Sequence, residues 1–219
     1  MATAIRHYAR LGGPLCGALL AMGLCSSIAL AQAQMPSEDQ IANALTPKPM
    51  TRGLSTGAPA AAARTGSSEE AAFIDSLRAP TTRSLSAGQR DKLAAIAEGK
   101  PSVDLEIRFE FNSATISPKA RPAVDALGAA LTRPALKDGT FMIAGHTDAR
   151  GGVEVNQHVS EARAASVKQY LVEKFKIPAK NLITAGYGKS RLKNKDQPLS
   201  DENRRVQTTN LTEVQSASR

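Results

Sequence analysis

Asp148 and Arg163 carry the clearest chemistry in this sequence. Both stand in "GHTDARGGVEVNQHVSEARAASV", residues 145 to 167. Read as a helix, the second half of this stretch puts Val155, Val159, Arg163, Val167, Leu171 and Phe175 at four-residue steps, so a guanidinium interrupts an apolar stripe. The planar fork of an arginine suits bidentate binding of a carboxylate. Asp148 follows the apolar run "FMIAG" in a glycine-flanked loop, where the end of a strand presents side chains to ligands. Two readings stay open on this pattern. The two residues pair with each other as a structural salt bridge, or they grip a ligand that carries both charges. In the first reading Arg163→Ala strands a partly buried carboxylate, at a cost of several kcal/mol.

Other chemistries find less support. His146 and Asp148 form an H-x-D pair, but no third ligand stands nearby, and no metal site or cofactor is expected. No serine or cysteine nucleophile has a matching base, so the chain does not read as an enzyme. A formal net charge of +8 suits an anionic setting. Nucleic acid is not the expected partner, because no aromatic platform or basic reading helix accompanies that charge. "KSRLKNK" reads as a solvated basic loop. Asn156 reads as a helix N-cap, and Gly145 and Gly151 as positions of backbone freedom.

The elements that hold these residues begin at Ser102. "VDLEIRFEF" alternates strictly, with Val103, Leu105, Ile107, Phe109 and Phe111 on one face, and predicts a half-buried strand. Ser117-Pro118 opens a helix in which Val124, Leu127 and Leu131 share a face, with Pro122 delaying its start. "TFMIAG" predicts a central strand. A helix follows from about Asn156 to Lys174, then the strand "LITAGYG", a polar loop, and the strand "RRVQTTNL". This β-α-β-α-β-loop-β order predicts a two-layer α/β (α+β) sandwich over 102–219. Residues 34–101 read as a Pro/Ala/Ser-rich linker, without period from 34 to about 66. Two short helical pieces follow it. "SSEEAAFIDSL" starts at Ser67 or Ser68, with Phe73, Ile74 and Leu77 on one side. "SAGQRDKLAAIAEG" has Leu93, Ile96 and Ala97 on one side. Each is marginal alone.

The N-terminal residues add a compartment. Arg6, His7 and Arg10 head a run from Leu11 to Gln34 with no formally charged residue, and Ala29, Ala31 and Ala33 end it. Residues 1–33 therefore read as a secretory signal, cut after Ala31 or Ala33. Both cysteines, Cys16 and Cys25, would leave with it. So would Arg6 and Arg10, leaving 26 basic against 20 acidic residues, a net +6. Lipidation at Cys25 is a rival reading, weakened by Leu24 where such signals carry a small residue. Retention as a membrane anchor is another, weakened by Gly12, Gly13, Pro14, Ser26 and Ser27.

Taken together, "FEFNSATI", "GHTDARG", Asn156, "VSEARAASV", "GYG" and "NRRV" resemble, in order and spacing, the C-terminal peptidoglycan-associated domain of the outer membrane protein A family. The resemblance covers roughly residues 103 to 212. It departs at Val155, where the family often has Tyr, and at Val159, where it usually has Leu. The loop from Lys189 to Glu202 is shorter than usual. No N-terminal barrel is present in the resemblance. The resemblance implies binding of the peptidoglycan stem peptide, especially meso-diaminopimelate, whose far end carries an ammonium and a carboxylate on one carbon. It maps the ammonium to Asp148 and the carboxylate to Arg163. Asn112, Thr147 and Asn156 are further implied contacts, and Arg204 adds positive charge to the rim. The expected protein is a periplasmic, cell-envelope binding module, with the outer membrane as a candidate location, that tethers the envelope to the wall. Residues 34–100 are its candidate contact with outer-membrane or other envelope proteins. The alternative is an inner-membrane-anchored component of an envelope machine, a stator or secretion complex, using the same module. Sequencing the N-terminus of the protein from cells separates the two: a start at Gln32 or Gln34 is expected, and an intact Met1 or Ala2 contradicts the exported reading.

Overall fold

The computed structural model describes residues 35–47, 60–78, 84–107, 109 and 113–212, with backbone alone for 60–67. The signal segment and Asn112 lie outside them. Four strands form one sheet: β1 (Ser102–Leu105), β2 (Phe141–Gly145), β3 (Leu182–Gly186) and β4 (Val206–Asn210). Their order is β1-β4-β2-β3, with β2 and β3 parallel and β4 antiparallel to both its neighbours. β2 is therefore interior, as its unbroken apolar run predicts. Phe141 and Ile143 face one core, and Met142 and Ala144 face another. A strand covered on both faces needs apolar residues at every position.

The first core is closed by α4 (Arg121–Leu131) and α5 (Val153–Phe175). Pro122 sits in the first turn of α4, where its missing N–H costs nothing. Val124, Leu127 and Leu131 are buried on one face. α5 begins at Val153, three residues before the expected start, with Gly152 as its N-cap. Asn156 is thus one turn inside the helix and is not a cap.

The mixed α/β class holds, and the N-terminal segments enlarge it. α2 (Ala60–Arg78) and α3 (Ala87–Ala97) lay Ile74, Leu93 and Ile96 on the opposite face of the sheet, against Met142, Ile183 and Tyr187. The sandwich gains a third layer there. Ser67 and Ser68 fall within α2 and do not start it. α1 (Glu38–Leu45) occupies part of the stretch that reads as linker. Ile41 and Leu45 are fully buried in the first core. Ser37 and Gln40 form its capping box. Arg133 holds Glu38 at 2.7 Å and Asp39 at 2.6 Å, and the Asn210 amide donates to the Leu45 carbonyl at 2.9 Å. Two turns of helix have little intrinsic stability, so this packing decides that α1 forms.

β1 is shorter than its alternation predicts. Leu105 pairs with Val206, the first residue of β4, so the ladder with β4 ends there; Arg108, Glu110 and Phe111 lie outside the described residues. The apolar face persists nonetheless. Ile107 is buried, and Phe109 packs on the same core and bridges to Ile116. Alternation reports which side is buried, not how far a neighbour extends. Leu45→Ala should cost about 2–5 kcal/mol in chemical denaturation, the range for truncating a buried leucine. A change below about 0.5 kcal/mol, typical of an unpacked surface position, would return α1 to the linker.

Candidate functional site

Two glycines fix the site. Gly145 ends β2 and its register partner Gly186 ends β3. A Cβ at Gly145 would collide with the Ser160 carbonyl, and one at Gly186 would lie 2.6 Å from the Glu161 nitrogen. α5 thus rests its backbone directly on the strand ends. The Ser160 hydroxyl accepts from the Gly188 N–H at 2.9 Å, and Gln157 donates to the Gly186 carbonyl at 2.7 Å. These bonds set the rotation of the helix. Three residues beyond Ser160, Arg163 turns inward and is only 8% exposed. Gly145 is therefore required for close approach, whereas Gly151 has the expected positive φ, +77°.

The loop from His146 to Gly152 is tied on all sides. His146 donates its N–H to the Arg205 carbonyl, Thr147 to Gly188 and Ala149 to Pro198. Asp148 folds back to accept the Arg150 N–H at 3.0 Å. Asn156 donates to the Arg150 and Gly152 carbonyls at 2.6 and 2.9 Å. The basic loop is exposed at Arg191, Lys193 and Lys195, as a solvated loop is, and it is also pinned to the fold. Lys189 donates to the Gly151 carbonyl at 2.8 Å, Arg191 lies 5.2 Å from the Tyr187 ring centre, and Lys193 pairs with Asp104 at 3.0 Å.

Thr147, Asp148, Asn156, Arg163 and Arg204 line one cleft of about 380 Å³, with Phe109, Val155 and Val159 as its apolar wall. Five of the six expected residues therefore converge. Asp148 and Arg163 do not pair with each other. Asp148 accepts instead from Arg204 at 2.9 Å, and Arg204 also pairs with Asp201. Arg163 donates through Nε to the Ser113 carbonyl at 3.2 Å and lies 4.9 Å from the centre of the Phe109 ring. Among the described residues it has no carboxylate partner. Burial, with the charge of Arg204 added, lowers its pKa, and only the field of Asp148 opposes them. Burial also works against the charge on Arg204, but its bonds to Asp148 and Asp201 outweigh that and raise its pKa. With Arg150 at the mouth, three guanidinium groups face one carboxylate across the cleft. The Thr147 hydroxyl is buried with no partner among the described residues. The arrangement favours an anion at Arg163.

The H-x-D pair separates. His146 stacks on Tyr187, ring centres 5.5 Å apart, and does not line the cleft. Among the described residues no group of three or more His, Cys, Asp or Glu could hold a metal ion. Arg205 points away from its neighbour Arg204, with Nε 3.4 Å from Asp104. Sequence reasoning misses Phe109 and Asp201 as parts of the site. The three-residue step from Asp201 to Arg204 is the one local signal for the latter.

The family model described as the OmpA family matches residues 108–205. Those residues are an OmpA family domain. Outer membrane protein A of Klebsiella aerogenes and that of Klebsiella pneumoniae are each 41% identical over 85 residues, covering 39% of this chain and 24% of the relative. The matched segment thus spans about a quarter of the length of these curated relatives. Similar solved structures include the OmpA-like domain of FopA1 from Francisella tularensis subsp. tularensis SCHU S4. It has a TM-score of 0.42 and 22% identity over 52% of this chain and 76% of that one. The peptidoglycan-associated lipoprotein from Burkholderia pseudomallei has a TM-score of 0.41 and 21% identity over 48% and 87%.

Burial lowers the His146 pKa to about 3, with the Arg205 charge adding to the effect. An unfolded histidine takes its proton near pH 6.5. Between these values the unfolded chain binds more protons than the folded one, so stability falls as pH drops from about 6.5 toward 3. Relative to His146→Phe, wild type should lose on the order of 2 kcal/mol between about pH 6.5 and 4.5 in denaturation curves. Parallel pH profiles would show that the imidazole is not held neutral.

Proposed function

We propose that the OmpA family domain binds the peptide stem of peptidoglycan non-covalently, gripping the far end of meso-diaminopimelate. The reading makes the exported protein a periplasmic tether between the cell envelope and the wall, without enzymatic activity. One observation carries it: a buried guanidinium without a carboxylate partner among the described residues shares a cleft with a buried aspartate. Arg163 takes the ligand carboxylate in a bidentate clasp, and Asp148 takes the ammonium on the same carbon. The Thr147 hydroxyl is supplied with its missing partner by the stem peptide. Val155 and Val159 cover the ligand's methylene chain. The Outer membrane protein A relatives support an envelope setting through their name.

Arg163→Ala then changes stability little. The substitution removes a buried charge that has no ion-pair partner among the described residues and leaves Asp148 held by Arg204, so the cost expected from a mutual salt bridge does not arise. Mature protein should co-sediment with purified diaminopimelate-type sacculi. A folded Asp148→Ala/Arg163→Ala variant should bind at least about tenfold more weakly, the weight of one hydrogen bond to a charged group. Equal retention of both proteins would rule this cleft out.

A further inference from the structure

Resting on the peptidoglycan reading, we infer that Arg204 is an internal stand-in for the ligand's ammonium: it occupies Asp148 in the empty cleft and withdraws toward Asp201 when a ligand cation arrives. Asp148 is buried, and both its oxygens are engaged, Oδ1 by the Arg150 N–H at 3.0 Å and Oδ2 by Arg204 at 2.9 Å, with the exposed Arg150 Nε farther off at 3.9 Å. A ligand ammonium therefore reaches this carboxylate by replacing a guanidinium already there.

The surroundings give Arg204 a place to go. Its other terminal nitrogen already holds Asp201, whose side chain is 65% exposed. Its own side chain is 35% exposed, so the guanidinium is not locked in the core. Behind it lies a second, smaller pocket of about 130 Å³, lined by Glu106, Ile107 and Asp201 and sharing Phe109, Arg163 and Arg204 with the cleft. Arg204 thus borders both spaces. When it leaves Asp148 it moves toward carboxylates, so no charge is stranded in the exchange.

The backbone beneath it stays fixed. Arg204 ends the short 3-10 turn Asp201–Asn203, and the next residue, Arg205, is directed to Asp104. Withdrawal is then a side-chain motion alone. The arrangement also sets a selection rule. Arg163 offers an anion a site at all times, whereas Asp148 opens only to a cation that is brought beside it. A ligand carrying ammonium and carboxylate on one carbon meets both conditions. Arg204 is by this account a specificity-determining residue, and its removal should affect ligands according to whether they bring a cation.

Calorimetric titration of the mature protein with two synthetic tripeptides separates this from other roles. One is L-Ala-γ-D-Glu-meso-diaminopimelate. The other carries 2-aminopimelate in the third place, which keeps the far carboxylate and lacks the far ammonium. Arg204→Gln should strengthen binding of the first by about tenfold, the weight of one hydrogen bond to a charged group, and should leave the second unchanged or weaker. Asp201→Asn, an exposed change that removes the alternative partner, should weaken the first. Weaker binding of both peptides by Arg204→Gln would make Arg204 an ordinary ligand contact and overturn the inference. Failure of wild type to bind the diaminopimelate peptide would overturn the cleft reading itself, and the stand-in with it.

Discussion

The contact of helix α5 with the ends of β2 and β3 governs everything at the cleft. Gly145 and Gly186 stand side by side at those strand ends; a Cβ at Gly145 would strike the Ser160 backbone, and one at Gly186 would meet the Glu161 nitrogen and side chain and the Ser160 hydroxyl. Ser160 fills the space so made and fastens Gly188. Interiors packed to crystal density pass such a constraint on undiminished. Because the helix cannot roll, Arg163 points inward although solvation would draw it out. The positions of Asn156 and Val159 along the cleft wall follow from the same seating.

Electrostatics then decides what the cleft wants. A buried carboxylate satisfied by two donors is at rest, and a buried guanidinium bonded to one carbonyl and an aromatic face is not. Burying a charge costs several kcal/mol unless it is paired. The fold keeps Arg163 in that state through the seating of α5 on the strand ends, held by Ser160 and Gln157. The two arginines of "NRRV" divide the work: Arg204 faces the cleft and Arg205 supports the opposite side through Asp104. Adjacent residues at the start of a strand point opposite ways, and this chain uses one for the site and one for the frame.

Much of this was legible in the residues, for physical reasons. The central strand, the helix carrying Arg163 and the inward turn of that arginine follow from periodicity, because burial on one side writes itself into every third or fourth residue. The convergence of Asp148, Thr147, Asn156 and Arg204 followed from a family resemblance and from the loop's place at a strand end. What was not legible depends on contacts between distant segments. The partner of Asp148 is Arg204 and not Arg163, a choice made by how the turn before β4 returns to the cleft. α1 is announced by the capping pair Ser37 and Gln40 and by Ile41 and Leu45, too short a period to stand out from the linker around it, yet both apolar residues are fully buried. β1 stops at Leu105 because β4 does, which no feature of β1 itself records. Asn156 looked like a cap because its amide favours helix starts; in place, it ties the preceding loop from inside the first turn.

The central claim is that Arg163 waits for a carboxylate in this cleft. The most direct measurement follows amide and arginine Nε–H chemical shifts while the mature protein is titrated with a diaminopimelate-containing stem peptide. The account predicts that the largest changes fall on the loop 146–152, on the first turns of α5 and on the Arg163 Nε–H. Changes centred instead on the groove formed by Thr115, Ser166 and Tyr170, with the Arg163 resonance unmoved, would contradict it.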